Sequence, residues 1–208
     1  MKKQFLIFCT GLTIACGTAS AQTSSFERLG QKAMMGGEFT TAANYFEKAY
    51  ATDNSNMNAL WLMGYSSFHA GNYKKAINDF NKLIEMKPTE VAAYYYRGKA
   101  KVLLSEGLKD YQSSDHETLL LSAIKDFSTA IDLTPDDDMK LFQNRGLAYQ
   151  EYGIFKSQKV ADVFNKTAAI NAINSSIKDF QKVLAENAGR RDIAAQIEKS
   201  KQLLIDIK

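Results

Sequence analysis

Apolar residues recur every three or four positions along most of this chain, and one version of that pattern is written repeatedly. AINDFNKLIEMKP at 76–88 returns as AIKDFSTAIDLTP at 123–135 and as SIKDFQKVLAENA at 176–188, with a looser AANYFEKAYATDN at 42–54. In each copy the apolar positions fall on one face of a 3.6-residue helix and the Lys, Asp and Asn positions on the other. A second amphipathic segment precedes each copy: ERLGQKA (27–33), LWLMGYS (60–66), YYYRGKA (94–100) and FQNRGLA (142–148). Only two prolines are present, Pro88 and Pro135, and both stand just past a copy, where a helix stops. The pattern predicts helices throughout, arranged in pairs.

Registry then settles the architecture. The phenylalanines of the copies, Phe46, Phe80, Phe127 and Phe180, are spaced by 34, 47 and 53 residues. A period of 34 is that of a helical-hairpin repeat, and the two longer spacings are the same period with insertions. The preceding segments carry Gly30, Gly64, Gly98 and Gly146 at one phase. Glycine inside a helix costs about 1 kcal/mol against alanine, so four at the same phase imply a shared packing demand, a neighbouring helix passing too close for a side chain. Ala42, Ala76, Ala123 and Ser176 open the second segments and fit the same demand.

On these residues the chain resembles the tetratricopeptide repeat family. Repeat two gives Leu60, Met63-Gly64, Gly71-Asn72-Tyr73, Ala76, Phe80, Leu83 and Pro88; repeat one gives Phe26, Leu29-Gly30, Ala33, Gly37-Glu38-Phe39, Ala42, Phe46 and Ala49. Repeat three gives Tyr94, Arg97-Gly98, Ala123, Phe127, Ala130 and Pro135; repeat four gives Phe142, Arg145-Gly146, Tyr149, Gly153, Phe180 and Val183. The resemblance implies an all-α helical-hairpin solenoid of about four repeats, at 23–56, 57–90, 91–137 and 139–190 within 22–190. Repeats three and four depart from the family by insertions near 105–119 and 154–172, both in the turn between the paired helices. The first contains Ser114-Asp115-His116-Glu117, a capping box opening the second helix, or else is disordered over 105–116. The second keeps Val160, Val163, Phe164 and Ile170 and is expected to lengthen its hairpin. Residues 191–208 place Ile193, Ile197, Leu204 and Ile207 on one stripe, as a C-terminal capping helix would, to cover the last layer.

The first 21 residues have a different character. Lys2 and Lys3, the short apolar run Phe5 to Ala15, and Ala19-Ser20-Ala21 read as a secretory signal peptide cleaved after Ala21, with periplasm or cell envelope as the expected location. The alternative is a lipoprotein acylated at Cys16, since Leu12-Thr13-Ile14-Ala15-Cys16 approaches a lipobox, although Thr13 stands where an aliphatic residue is usual. Membrane association is expected only in that case. The chain carries 26 basic and 23 acidic residues. Removing the leader takes Lys2 and Lys3, so a net charge near +1 remains and nothing favours nucleic acid. It also removes both cysteines, Cys9 and Cys16, leaving the core alone to stabilise the fold.

The resemblance implies that the first helix of each pair lines a concave surface. The residues between core positions there are the expected readers of a protein or peptide: Asn58, Trp61, Tyr65 and Phe68 in repeat two, Tyr95, Lys99 and Val102 in repeat three, Gln143 and Leu147 in repeat four, and Glu27, Gln31 and Met34 in repeat one. Trp and Tyr offer large contact area with a polar handle. The competing reading puts Trp61 and Tyr95 in the core. Some family members clamp a C-terminal carboxylate with lysine and asparagine; Glu27 and Gln31 stand at those places here, so that clamp is not expected. Catalytic, metal and cofactor sites are not expected either. His69 and His116 lie in different repeats, and no glycine-rich phosphate loop occurs. Asp136-Asp137-Asp138 lacks the spacing of a calcium loop and reads as a solvated turn that caps the next helix. The chain thus reads as a non-catalytic scaffold or adaptor binding a protein segment in its groove. The alternative is a structural assembly subunit, oligomeric or bound to others through its insertion edge.

Overall fold

In the computed structural model, residues 25–108 and 114–207 are described; the leader, with Cys16 and Ala21, and residues 109–113 of the first insertion lie outside them. The described residues form nine helices: α1 (Ser25–Met35), α2 (Phe39–Thr52), α3 (Met57–His69), α4 (Tyr73–Met86), α5 (Val91–Glu106), α6 (Ser114–Asp132), α7 (Met139–Ser157), α8 (Lys166–Glu186) and α9 (Arg191–Ile207). Each packs chiefly on its neighbours in sequence, giving hairpins α1–α2, α3–α4, α5–α6 and α7–α8 and a closing α9. None is long and apolar enough to cross a membrane.

Local chemistry sets the boundaries. Asn56, Asp138 and Asn165 cap α3, α7 and α8, each side chain accepting the hydrogen bond of a first-turn backbone N–H at 2.9 Å. The Asp136-Asp137-Asp138 turn therefore works as a cap, and Asp137 also pairs with Lys182 at the surface. In repeats one and two, Gly37 (φ 75°) and Gly71 (φ 77°) end the first helix in the left-handed region. Gly153 holds the corresponding place in repeat four but lies inside α7, which runs on to Ser157. A Cβ on Gly153 would stand 2.5 Å from Ile173. The residue that turns the chain in the short hairpins lets two helices cross in the long one.

Phe46, Phe80, Phe127 and Phe180 are all essentially inaccessible. Each ring lies over the glycine of its own repeat. A Cβ on Gly30, Gly64, Gly98 or Gly146 would approach that ring to 2.8, 3.0, 3.0 or 2.8 Å. This is the packing demand read from the repeated phase.

A second element of the register is ionic. Arg97, just before Gly98, grips Asp126, just before Phe127, through two nitrogens at 2.6 and 3.0 Å, and donates a third bond to Asn81 of the preceding repeat. Arg145 repeats this on Asp179, at 2.8 Å twice, and reaches Ser128. Repeat two has Met63 in place of the arginine but keeps the aspartate, Asp79, which is 3% exposed and accepts only a 3.2 Å bond from Ser67. Burial pushes the Asp79 carboxyl up to about 6, against the Ser67 hydrogen bond and Lys75 and Lys82, which pull it down. A proton on Asp79 then favours the folded state. That stabilisation is full below the ordinary carboxylate value of about 4 and is lost as pH rises through about 6. Asp79→Asn should therefore stabilise the chain by on the order of 2 kcal/mol at pH 7. Thermal melts of the two proteins should converge as pH falls from 6 to 4, and a pH-independent difference would contradict the assignment.

Both insertions lengthen their hairpins. Helices α5 to α8 have 16, 19, 19 and 21 residues, against 11 to 14 in α1 to α4. Glu117 reaches across to α7, accepting from Tyr152 at 2.9 Å and pairing with Lys156 at 3.3 Å, while the expected capping box rests on the Ser114 side chain, which lies outside what is described. His116 stacks on Phe155 with centroids 4.7 Å apart. Leu120, Phe155 and Val163 form one buried cluster, so the two insertions pack on each other at one edge. At the C-terminus Ile193 and Ile197 close over Phe142, Phe180 and Val183. Ser200 is also buried and joins Gln150 and Ser176 by hydrogen bonds of 2.8 and 3.0 Å, while Leu204 is only half-buried.

Candidate functional site

The first helices of repeats three and four, α5 and α7, flank a groove of about 550 Å³. Tyr95, Lys99, Val102 and Glu106 form the α5 wall. Lys140, Gln143, Asn144, Leu147 and Glu151 form the α7 wall, and the Phe127 ring from α6 contributes the floor. Of the expected readers, Tyr95, Lys99 and Gln143 are thus brought together, with Val102 and Leu147 beside them. Lys99 holds its ammonium over the rings of Tyr95 and Phe68, at 5.4 and 5.6 Å, an arrangement in which the ring quadrupole attracts the cation. Gln143 accepts a 2.9 Å hydrogen bond from Arg190, which ties this wall to the start of the cap.

Asn58 and Trp61 lie in a separate cleft of about 320 Å³ with Met57, Leu83, Lys87 and Glu90. Trp61 is half-buried and stacks on Tyr65 at 5.1 Å; beyond it the His69 ring lies tilted against Tyr65 at 4.3 Å. Tyr96 joins the two regions. Its ring meets Trp61, Tyr65 and Phe68 on one side and Tyr95, at 5.1 Å, on the other. Burial raises the Tyr96 hydroxyl above its ordinary range, and Tyr65 and Tyr95 add to the effect. Sequence reasoning missed Tyr96. The signal was the run Tyr94-Tyr95-Tyr96, whose members point about 100° apart around a helix. Tyr94 accordingly lies under Arg97, Tyr95 faces the groove and Tyr96 faces the preceding repeat.

Two expected readers are core. Phe68 is 8% exposed and packs among Tyr73 and Tyr96. Glu27 is 6% exposed and accepts a 3.1 Å bond from Asn56, the cap of α3, so it fastens repeat one to repeat two. Gln31 is exposed and Met34 half-buried; neither lines the groove. Glu106 and Glu151, which close one end of it, were not expected. Burial holds the Glu151 carboxyl above its usual range; Lys199 of α9 opposes the shift and Glu106 adds to it. Among the described residues no group of His, Cys, Asp or Glu is placed to hold a metal ion.

Residues 58–90 match the tetratricopeptide repeat family model. No curated protein matches the chain. Among solved structures it is similar to a thermophilic TPR protein of Thermus thermophilus, at 17% identity over 85% of this chain and 97% of that one, with a TM-score of 0.52. It is likewise similar to the MamA protein, at 20% identity over 86% and 89%, TM-score 0.54. MamA from Desulfovibrio magneticus aligns at 17% identity over 86% and 92%, again with a TM-score of 0.54. At such identities the likeness speaks for the fold alone. Residues 58–90 are thus a tetratricopeptide repeat, and with three further hairpins built to the same register the chain has the fold of these tetratricopeptide-repeat structures, an all-α solenoid of four hairpins closed by a capping helix.

Proposed function

We propose that the chain is a non-catalytic scaffold of the bacterial cell envelope that holds a segment of another protein in the groove between α5 and α7. The observation that carries this reading is the convergence of Tyr95, Lys99 and Gln143, from two repeats, on one concave surface with an apolar floor. Rigid aromatic and long aliphatic surface, flanked by polar groups that fix orientation, is what a peptide-binding groove needs. The tetratricopeptide fold supports protein binding in general. The envelope location rests on the leader, Lys2-Lys3, Phe5 to Ala15 and Ala19-Ser20-Ala21. Mass spectrometry of the mature N-terminus decides it: a chain starting at Gln22 supports export, an acylated Cys16 supports anchoring, and an intact Met1 removes both.

The groove reading is tested with Tyr95→Ala and Leu147→Asp. Both side chains are half-buried at the rim. Each variant should lose partner capture in pull-downs from envelope extracts at least about tenfold, as loss of a central contact does, with helicity unchanged. A variant on the outer surface, Leu121→Asp, should retain capture. Retained capture by both groove variants would refute the reading.

A further inference from the structure

Apart from Asp79, the charges that lie between the helices of repeats two to four are paired: Arg97 and Lys101 with Asp126, Arg145 with Asp179, Lys156 with Glu117. Those lining the groove are not. Among the described residues, Lys99, Lys140, Glu106 and Glu151 line it, and none forms an ion pair with another side chain. They are also sorted by sign. Lys140 opens the α7 wall and Lys99 stands one turn from the top of the α5 wall, while Glu106 and Glu151 close the far end. The two walls have the same spacing: Tyr95, Lys99, Val102 and Glu106 on α5 advance by four, three and four residues, as do Lys140, Asn144, Leu147 and Glu151 on α7.

Resting on the groove reading above, we infer that the occupant is an amphipathic helix with acidic side chains at one end, apolar side chains at its middle and basic side chains about three turns further on. The rungs of the groove span eleven residues of helix, about 16 Å, which is three turns at 5.4 Å. A helical partner presents a side chain to every rung. A strand repeats on one face every 6.6–6.8 Å or so and completes only about two and a half repeats over the same length. Its middle side chains lie on Val102, Leu147 and the Phe127 ring. Acidic groups at its start meet Lys99 and Lys140, and basic groups at its end meet the two glutamates. A partner helix running parallel to α5 and α7 carries acid first and base last, the layout the macrodipole of a helix favours, whereas the exchanged order can meet the same rungs only by docking antiparallel with its charges set against its own dipole. The glutamate end asks for a cation in particular, because Glu151 is half-buried and lies close enough to Glu106 for the two carboxylates to repel each other.

The test uses the full chain and three labelled peptides of about eighteen residues, long enough to form a helix, read by fluorescence anisotropy at low salt. The first carries Glu in its opening turns, Leu along one face and Lys in its closing turns. The second exchanges Glu and Lys at constant composition. The third is the first with proline at its centre. The first should bind about tenfold more tightly than the second, the scale of two or more partly screened charge contacts acting together, and the proline peptide should bind far less. Glu106→Lys with Glu151→Lys should largely erase the preference, because both ends of the groove are then cationic, and Glu106→Gln with Glu151→Gln should narrow it, because only the lysine end is left to choose. Equal affinity for the first two peptides, a preference unmoved in both double variants, or undiminished binding of the proline peptide overturns the inference. If no peptide binds while Leu147→Asp still costs the scaffold its partner, the groove reading stands and the helical occupant falls. A dimer that Leu147→Asp returns to monomer would seat a second copy in the groove and overturn the inference as well.

Discussion

Arg145→Met is expected to destabilise the protein by about 3–5 kcal/mol at neutral pH, the cost of leaving a buried carboxylate without its partner. Asp179 is 5% exposed, and Arg145 satisfies both of its oxygens while extending a third bond to Ser128 of the preceding repeat. Removing the guanidinium strands the charge in a place water does not reach. The chain carries its own precedent: in repeat two, Met63 stands where Arg145 would, and the Asp79 carboxyl beside it rises to about 6. Asp179 in the variant should rise in the same way, so the penalty should be smaller at pH 5 than at pH 7.5. Adding Asp179→Asn should restore much of the loss, because it removes the unpaired charge rather than the pair. Urea unfolding of the single and double variants at the two pH values measures all of this. A loss below about 1 kcal/mol for Arg145→Met would mean the pair contributes no more than a surface ion pair.

Phe127→Ala is expected to cost about 3–5 kcal/mol, as loss of a fully buried aromatic generally does. The ring is 1% exposed, it lies over Gly98 so closely that a Cβ there would come within 3.0 Å of it, and it meets Tyr95 edge-on at 6.2 Å. The ring and the glycine should therefore be coupled. Gly98→Ala alone forces the ring to move, whereas Gly98→Ala in a Phe127→Leu background should cost less than the sum of the two changes. Because Phe127 is also the groove floor, Phe127→Leu should weaken partner binding even where the fold survives. Additive stability losses in the double variant would show that the ring and the glycine do not share one constraint.

Much of this fold could be read from the sequence because the determinants repeat. Glycine at one phase and phenylalanine at another identify each hairpin without knowledge of how helices cross, and the longer spacings locate the insertions. The faces of single helices were harder. Phe68 and Glu27 occupy positions that helical phase assigns to the concave side, yet Phe68 is drawn into a ring cluster centred on Tyr96 and Glu27 is enclosed by Asn56 of the next hairpin. Phase within one helix does not include the partner that covers it. Gly153 is ambiguous for a related reason, since a glycine that ends a helix and one that admits a crossing helix are the same letter. The glutamates of the groove were hidden because their meaning depends on two helices 45 residues apart standing side by side, with one carboxylate from each at the same end.

In a solenoid whose repeats touch only their neighbours, unzipping can begin at either end. The mutual packing of the two insertions removes that symmetry. Leu120, Phe155 and Val163, with Glu117 bridging to Tyr152 and Lys156, add a second tie between repeats three and four beyond the ordinary hairpin contact. Repeats one and two are joined by polar contacts such as Asn56 on Glu27 rather than by packed hairpin extensions, and the hairpin of repeat two carries at Asp79 a carboxylate that no arginine grips. Heat or a pulling force would open the molecule from its amino-terminal half, while the half that forms the groove stayed shut as a single cooperative block.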